Sequence, residues 1–281
     1  MNLQRIKALQ YTWLLPRLFS KSGLRRAIGL PIGDFIVYAD CVTNLDGLEI
    51  GGPSAVFRSD GFLPVYDLVG SLDNCNFTSN TVWQRDLRAG RTFHFSRTKP
   101  PGTQYILDAA ELPEALNGHY DFLLSSHMLE HTANPVRALR AWHRVLRPSG
   151  ALILLLPDKN WTFDHRRPVT TIEHLIHDFE TETQEDDRTH MEEILELHDL
   201  SRNAPVTRAD LERQARHNFE IRTLHHHVFD TGLVRQMLEY SGFAVQKLSE
   251  EFPYHLVALA TALTPPPTPA HHYHSPALTR P

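Results

Sequence analysis

Short apolar segments alternate with turn residues along the first half of the chain, which is the rhythm of an open α/β sheet. Four such segments predict strands, at residues 45–50, 63–72, 104–107 and 120–125. The Gly-Gly-Pro-Ser sequence at residues 51–54 must end the first strand. Pro64 and Asp67 interrupt the second, so we expect it to be short or irregular.

The clearest predicted helix begins at Asn134-Pro135, because Asn is a favoured N-cap and Pro a favoured first helical residue. Apolar residues then recur at helical spacing up to Leu146, and a Pro-Ser-Gly turn ends the helix. Residues 151–156 are all apolar, as expected of a strand that is buried on both faces of a parallel sheet. We therefore predict an α/β fold with a doubly wound, mostly parallel sheet.

The rhythm of strands and helices divides the chain into five predicted segments. A polar, histidine-rich stretch interrupts the sheet pattern and predicts a helical insertion, with helices at 171–179 and 190–200, that acts as a substrate lid. After it, the pattern predicts a helix at 232–240 and strands at 243–248 and 255–262. The segments are a basic helical N-terminus (1–44), a ligand-binding core (45–157), the insertion (158–228), the C-terminal part of the sheet (229–263) and a proline-rich tail (264–281), which we expect to be disordered.

Composition and charge narrow the class of protein. The net charge of −5 gives no reason to expect a nucleic-acid partner. Two cysteines are too few for a disulfide framework, and no apolar run reaches the roughly 18 residues of a membrane span, so we expect a cytoplasmic protein. The first 30 residues carry six Lys or Arg and no acid. They could make a weak contact with an anionic membrane surface, or form a helix that packs on the domain.

Three carboxylates follow at the ends of three successive predicted strands: Glu49, Asp73 and Asp108. Asp73 lies 22 positions after Gly51, which is the usual spacing of an acid that accepts hydrogen bonds from a ribose. Asp108 could face an adenine amino group. The three acids suit a ligand with an amine, a ribose and an adenine, whereas the glycine fingerprint of dinucleotide folds is absent from residues 51–56.

Residues 120–131, Asn134-Pro135 and the Leu-Arg-Pro-Ser-Gly sequence at 146–150 resemble the later motifs of class I S-adenosylmethionine (SAM)-dependent methyltransferases of the type 11-like group. With the loop at 49–54, the resemblance covers residues 45–157 and the closing strands. It implies SAM as the cofactor and a seven-stranded sheet whose last strand is antiparallel. The cofactor-binding residues that it implies are Glu49, Gly51, Gly52, Pro53, Ser54, Asp73, Asn74, Asp108, Ala109 and Ser126.

This chain departs from the family pattern in two places. The loop reads Gly-Gly-Pro where the common spacing is Gly-x-Gly, which leaves the loop geometry open. His127 stands where many relatives have a small polar residue. The Gly-Gly-Pro-Ser loop and the Leu-His-His-His-Val-Phe-Asp sequence at 224–230 also resemble a bacterial subset of these enzymes that is associated with glycan or polysaccharide modification.

Histidines are the candidate catalytic residues, because transfer to a hydroxyl needs a base and imidazole titrates near neutral pH. The candidates are His127, at the end of the fourth predicted strand, and His190 and His226, in the insertion. The histidines and acids of the insertion could line a substrate pocket, bind a divalent metal or form a polar helical face. No short ligand motif such as His-Glu-x-x-His is present, so we assign no metal ligands, and the sequence leaves open whether the insertion binds a metal.

The leading prediction is a methyltransferase that methylates a hydroxyl of a small molecule or glycan. A catalytically inactive SAM-fold binding module and a nicotinamide-dependent oxidoreductase are the alternatives, and a metal-dependent hydrolase is a more distant one. The sequence leaves open the identity of the acceptor, the choice between oxygen, nitrogen and carbon methylation, and the oligomeric state.

Overall fold

A computed structural model describes residues 14–264, which are organised around an eight-stranded sheet of order β3-β4-β2-β1-β5-β6-β8-β7. Strands β4, β2, β1, β5 and β6 are parallel, whereas β3 and β8 run antiparallel to their neighbours. The predicted α/β fold with a mostly parallel sheet is confirmed, with one strand more than expected. The strands are β1 Asp46–Ile50, β2 Ser71–Asn76, β3 Gly90–Phe93, β4 Gly102–Ile106, β5 Tyr120–Ser126, β6 Leu146–Pro157, β7 Phe243–Glu251 and β8 His255–Ala262.

Helices cover both faces of the sheet and build the insertion. They are α1 Leu15–Leu18, α2 Lys21–Ala27, α3 Phe35–Asp40, α4 Pro135–Val145, α5 Ile172–Glu180, α6 Met191–Leu197, α7 Arg208–Arg216, α8 Asn218–Ile221 and α9 Thr231–Tyr240. The predicted start of α4 is confirmed, since Asn134 Oδ1 accepts a hydrogen bond from Arg137 N at 3.0 Å. Within residues 14–264, no helix combines the length and apolar character needed to cross a bilayer.

The hydrophobic core has two layers, one on each face of the sheet. Successive residues of β5 point to opposite layers, as the strand pleat requires. Leu123 packs into the layer that contains α4 and α9, and Phe122 packs into the layer that contains α3. Trp142 of α4 is fully buried, and its Nε1 donates a hydrogen bond to Ala109 O at 3.1 Å. The core therefore fixes the loops at the carboxyl ends of the strands.

Two sequence-based expectations about strands are wrong. Most of the predicted strand at 63–72 is not a strand: Leu63, Val65 and Tyr66 are buried in an irregular segment on one face of the sheet, and β2 begins only at Ser71. An apolar segment that packs as turns has the same local composition as a strand, so its composition misled the prediction. Strand β3 was missed because it is short, lies at the sheet edge and is mostly exposed.

The insertion contains the two predicted helices, observed as α5 and α6, and also α7 and α8, which were not predicted. It has a small hydrophobic core of its own, formed by Ile194, Leu211, Ala215 and Leu224. Residues 1–13 and 265–281 lie outside the described residues. The predicted disorder of the tail, and the first part of the basic segment considered for membrane contact, fall there, and the division into five segments stays a prediction.

Candidate functional site

A cavity of about 450 Å³ opens at the carboxyl edge of the parallel strands, where ligands bind in open α/β sheets. Its volume is within the range of small-molecule sites. The wall is formed by residues that end or follow the strands, together with a loop after β2 and one residue of the insertion. These residues are Ile50, Gly51, Pro53, Ser54, Ala55, Val56, Cys75, Asn76, Phe77, Thr81, Trp83, Gln84, Ala109, Ser126, His127, Met128, His131, Thr132, Arg222, Tyr254 and His255.

The loop after β1 is shaped by the side chain of Glu49. Gly51 adopts a φ of 84°, which a glycine tolerates without strain. Glu49 is fully buried, and its Oε1 accepts hydrogen bonds from Ser54 N at 3.0 Å and Ser54 Oγ at 2.6 Å. Tyr66 donates to Glu49 Oε2 at 2.6 Å. Glu49 thus holds the loop and does not line the cavity, whereas Gly51, Pro53 and Ser54 do.

Burial has a second effect on Glu49, since removal from water disfavours the charged carboxylate. It raises the pKa of Glu49 to about 7, although the hydrogen bonds from Ser54 and Tyr66 act in the opposite direction. Glu49 is therefore partly protonated near neutral pH.

Asp73, expected to end a strand and bind a ribose, lies instead in the middle of β2. Its Oδ1 accepts a hydrogen bond from Thr103 N at 2.6 Å, and its Oδ2 accepts one from Tyr120 Oη at 3.0 Å. Asp73 is not among the lining residues of the cavity. Strand β2 runs from Ser71 to Asn76, so Asn76 is the residue at the strand end, and Asn76 does line the cavity.

Asn76 is one of the site residues that were not predicted from the sequence, because a carboxylate was expected at this strand end. Asn76 Oδ1 accepts hydrogen bonds from Asn74 Nδ2 and from Gln104 Nε2, the latter at 3.1 Å. No described residue accepts a hydrogen bond from Asn76 Nδ2, which leaves it available to a ligand. Asn74 also bonds both the amide and the carbonyl of Gly52, so these two residues support the site without lining it. The only sequence signal for Asn76 was that residues 74, 76 and 104 all carry side-chain amides.

Asp108 is engaged by protein partners. Its Oδ2 is 2.7 Å from Arg222 Nη2, and its Oδ1 accepts a hydrogen bond from Ala110 N at 2.8 Å. The neighbouring Ala109, not Asp108, lines the cavity. Arg222 comes from the insertion, and its guanidinium lies 4.5 Å from the ring centroid of Phe77. Within residues 14–264, Arg222 is the one residue of the predicted lid that lines the cavity.

His127 lines the cavity where β5 ends, in a backbone conformation with φ of 51° that is uncommon for a residue with a side chain. Its Nε2 is 2.7 Å from His255 Nδ1, and its Nδ1 is 3.5 Å from Glu130 Oε1. His255 also lines the cavity, and Phe62 stacks on its ring at 4.9 Å. Glu130, His127 and His255 thus form a polar line that reaches the cavity.

The charge on Glu130 determines which ring nitrogens of His127 and His255 carry a proton. Burial raises the pKa of Glu130, but the nearby imidazoles of His127, His131 and His225 outweigh burial, so the net pKa is lowered. An ionised Glu130 favours a proton on His127 Nδ1. The Nε2 of His127 then accepts a hydrogen bond from His255 Nδ1–H. Burial and the proximity of His127 hold the pKa of His255 well below its usual value, so this ring is neutral.

The other two predicted catalytic histidines are not brought to the cavity. His190 Nε2 is 3.0 Å from His174 Nε2. His226 is buried, with its Nε2 3.1 Å from Asn218 Nδ2. Burial lowers the pKa of both imidazoles, that of His226 to about 4. Conversely, His255 joins the site although its sequence context marked it only as the first residue of a strand.

Comparison with known proteins supports methyl transfer. Residues 73–154 match the methyltransferase domain family, which implies SAM as the cofactor. Comparison with curated proteins gives no match.

Solved structures give further likenesses. The chain is similar to a SAM-dependent methyltransferase from Mesorhizobium loti (14% identity, TM-score 0.45, covering 81% of this chain and 95% of that one). It is also similar to a candidate exported protein from Bordetella parapertussis (13% identity, TM-score 0.44, covering 82% of this chain and 65% of that one). A third likeness is to a candidate Zn-dependent alcohol dehydrogenase from Rhodobacter sphaeroides (16% identity, TM-score 0.48, covering 93% of this chain and 100% of that one). The assignment rests on the family match: residues 73–154 match a methyltransferase domain, and the methyl donor is SAM.

Proposed function

We propose that this protein transfers the methyl group of SAM to a hydroxyl oxygen of a small-molecule or glycan acceptor. The observation that carries the proposal is the line Glu130–His127–His255, which ends on the wall of the cavity at the carboxyl edge of the sheet. A hydroxyl is a poor nucleophile until its proton is removed, and this line of side chains can accept that proton.

The residues around the cavity fit SAM better than a dinucleotide. The glycine loop allows close approach of a ligand, and the free Nδ2 of Asn76 can donate to ribose oxygens. Arg222 is the one Lys or Arg on the wall among the described residues, and its guanidinium is already paired with Asp108. A pyrophosphate would therefore find little positive charge here, which counts against a nicotinamide cofactor. When bound, SAM supplies an electrophilic methyl group.

The protein's own groups orient the acceptor and take up its proton. Among residues 14–264, no hydrogen bond engages Nε2 of His255, so this nitrogen keeps a free lone pair, and His255 lines the cavity. It accepts the hydroxyl proton as the oxygen attacks. The positive charge is then shared with His127 and stabilised by the carboxylate of Glu130. A general base of this kind contributes about 10²–10⁴-fold to the rate.

Two aromatic side chains on the cavity wall support a glycan acceptor. Trp83 and Tyr254 line the cavity, and Trp83 is 60% exposed. Flat apolar rings with an exposed face can stack on the C–H faces of a sugar ring. We expect Trp83→Ala to raise KM for sugar acceptors more than for small alcohols, while the affinity for S-adenosylhomocysteine (SAH) stays the same.

The test separates cofactor binding from chemistry. Calorimetric titration with SAM, SAH and NADH establishes the cofactor, and transfer of radiolabelled methyl from SAM to sugars, phenols and alcohols identifies the acceptor. We expect His127→Ala and His255→Ala to lower kcat by about 10²–10⁴-fold and to leave the SAH dissociation constant within about threefold. His119→Ala is the matched control, since His119 is exposed and lies just before β5, away from the cavity.

Either of two results would overturn the proposal. One is a folded protein that binds neither SAM nor SAH, and micromolar binding of NADH alone would then favour the oxidoreductase. The other is full activity in both histidine variants, which would leave the line without a role in proton transfer.

A further inference from the structure

Four side chains in and beside the insertion bring metal-binding atoms together, away from the cavity. His174 and Asp178 lie one turn apart on α5, His190 immediately precedes α6, and His227 precedes α9. One potential ligand atom from each of the four lies within 4.8 Å of the others. His174 Nε2 is 3.0 Å from His190 Nε2 and 3.2 Å from Asp178 Oδ2.

Two of these side chains are buried, and each has a polar atom that makes no hydrogen bond within residues 14–264. Asp178 is 7% exposed, and its Oδ1 accepts a hydrogen bond from Thr183 Oγ1, but its Oδ2 accepts none. His227 is 1% exposed, and its Nε2 is 3.0 Å from the carbonyl oxygen of Ala133. The Nδ1 of His227 is buried without a partner. Buried polar atoms are almost always satisfied, so each of these two needs an explanation.

A cation bound between the four side chains would satisfy Asp178 Oδ2, and it would also satisfy Nδ1 of His227 if this imidazole binds through Nδ1 and keeps its Nε2–H on Ala133. Ligand atoms of a tetrahedral ion with bonds of 2.0–2.1 Å lie about 3.3 Å apart, which is close to the separations around His174. Metal-binding histidines usually donate their other ring N–H to a backbone carbonyl or a carboxylate, and His227 has that relation to Ala133. The His174–His190 contact also fits, because two neutral imidazoles can share only one hydrogen bond, whereas both can bind a metal.

We propose that His174, Asp178, His190 and His227 form a structural site for a divalent transition metal, with Zn²⁺ the best match. Three imidazoles and one carboxylate are the donor types that Zn²⁺ takes, and four protein ligands leave no open position for a substrate. None of the four residues lines the cavity. The ion ties α5 and the start of α6 to the segment that precedes α9, and so fixes the insertion against the core. This role is separate from methyl transfer.

Metal binding is tested on the full-length chain, purified without a histidine tag and stripped with a chelator. Calorimetric titration with ZnCl₂, with metal content measured by mass spectrometry, should give one Zn²⁺ per chain. Loss of a hydrogen bond to a metal ligand costs about 10–100-fold in affinity, so loss of a ligand in Asp178→Asn or His190→Ala should cost at least ~100-fold. His177→Ala is the control, because His177 is exposed on the same helix.

The histidines at 271, 272 and 274 are present in every variant, so a loss of affinity cannot come from them. A second group of metal-binding residue types, Glu130, His131 and His225, belongs to the surroundings of the proposed catalytic line. The proposal is overturned if the wild type binds no Zn²⁺ at micromolar concentrations, or if both variants bind it as the wild type does, since the ion then lies elsewhere.

A measurement on the wild type alone covers the case in which the variants do not fold. X-ray absorption at the zinc edge should give three imidazoles and one oxygen ligand at about 2.0–2.1 Å. Two or fewer imidazoles would overturn the assignment. SAH binding by the metal-loaded and stripped protein, measured in parallel, reports separately on the proposed methyl transfer.

Discussion

The buried carboxyl of Glu49 should make the stability of the protein depend on pH in a way that a single substitution isolates. Glu49 is fully buried beneath the cavity loop, and Ser54 and Tyr66 donate hydrogen bonds to it. Burial raises its pKa from 4.5 to about 7. Glu49→Gln keeps the shape of the protonated side chain and removes the titration.

The sign follows from which state binds the proton more tightly. Below pH 4.5, Glu49 is protonated in both the folded and the unfolded chain, and its contribution to stability is fully present. As the pH rises towards 7, the unfolded chain loses this proton while the folded protein keeps it, so the free energy of unfolding falls. A pKa rise from 4.5 to about 7 corresponds to about 3 kcal/mol.

The assay is urea unfolding of the wild type and of Glu49→Gln at several pH values between 4 and 8 (about half a unit apart). The difference between their free energies of unfolding removes the contributions of groups that both proteins share. We expect the wild type to lose about 3 kcal/mol relative to Glu49→Gln over this range. Glu114→Gln, at an exposed position, is the control, and its difference should stay within about 0.5 kcal/mol. If the difference in the free energy of unfolding between the wild type and Glu49→Gln also changes by no more than about 0.5 kcal/mol between pH 4 and 8, the reasoning is refuted.

Two further substitutions test the cavity loop and the start of α4. Gly52→Ala would bring a Cβ against the carboxylate of Glu49, closer than Cβ atoms approach other groups, and hydrogen bonds hold that carboxylate in place. We expect it to lower the free energy of unfolding by about 1–3 kcal/mol and to weaken SAH binding, whereas Gly33→Ala, with nothing within 4 Å, should change neither. Asn134→Ala removes the acceptor for Arg137 N, and its expected cost is about 1–2 kcal/mol by urea unfolding. A cost below about 0.5 kcal/mol would mean that another group caps the helix.

Much of the fold could be predicted because its signals are local. The N-cap at Asn134 is encoded within four residues, and the apolar run that becomes the inner part of β6 is contiguous. The last strand, at 255–262, is confirmed with its predicted bounds. The segment at 63–72 could not be predicted correctly, because burial in an irregular segment and burial in a strand select the same residue types.

Part of the site could be predicted for the same reason. The turn at residues 51–54 was found because glycine and proline signal a chain reversal by themselves. The place of Asp73 depends instead on where β2 begins, and that is fixed by pairing, in which Ser71 lies opposite Asp46 of β1. A shift of this kind moved the residue at the strand end from the predicted Asp73 to Asn76.

The histidines show most clearly what the sequence could not decide. The chain has 18 of them, and local sequence selected His127 but also His190 and His226, which lie outside the cavity wall. The partner of His127 is His255, 128 positions away, and their contact exists only because the antiparallel strand β8 begins where β5 and β6 end. The proposed metal ligands are likewise separated by 4, 12 and 37 positions and form no short motif.

The sequence by itself therefore determined the α/β class, the position of the ligand loop and the expectation of SAM, since these depend on patterns within a few residues and on contiguous motifs. The tertiary structure decided which carboxylates and imidazoles meet, which of them face the cavity and which titrate outside their ordinary range. The physical reason is that contact, burial and pKa are set by neighbours in space. Folding brings those neighbours together from distant positions in the chain.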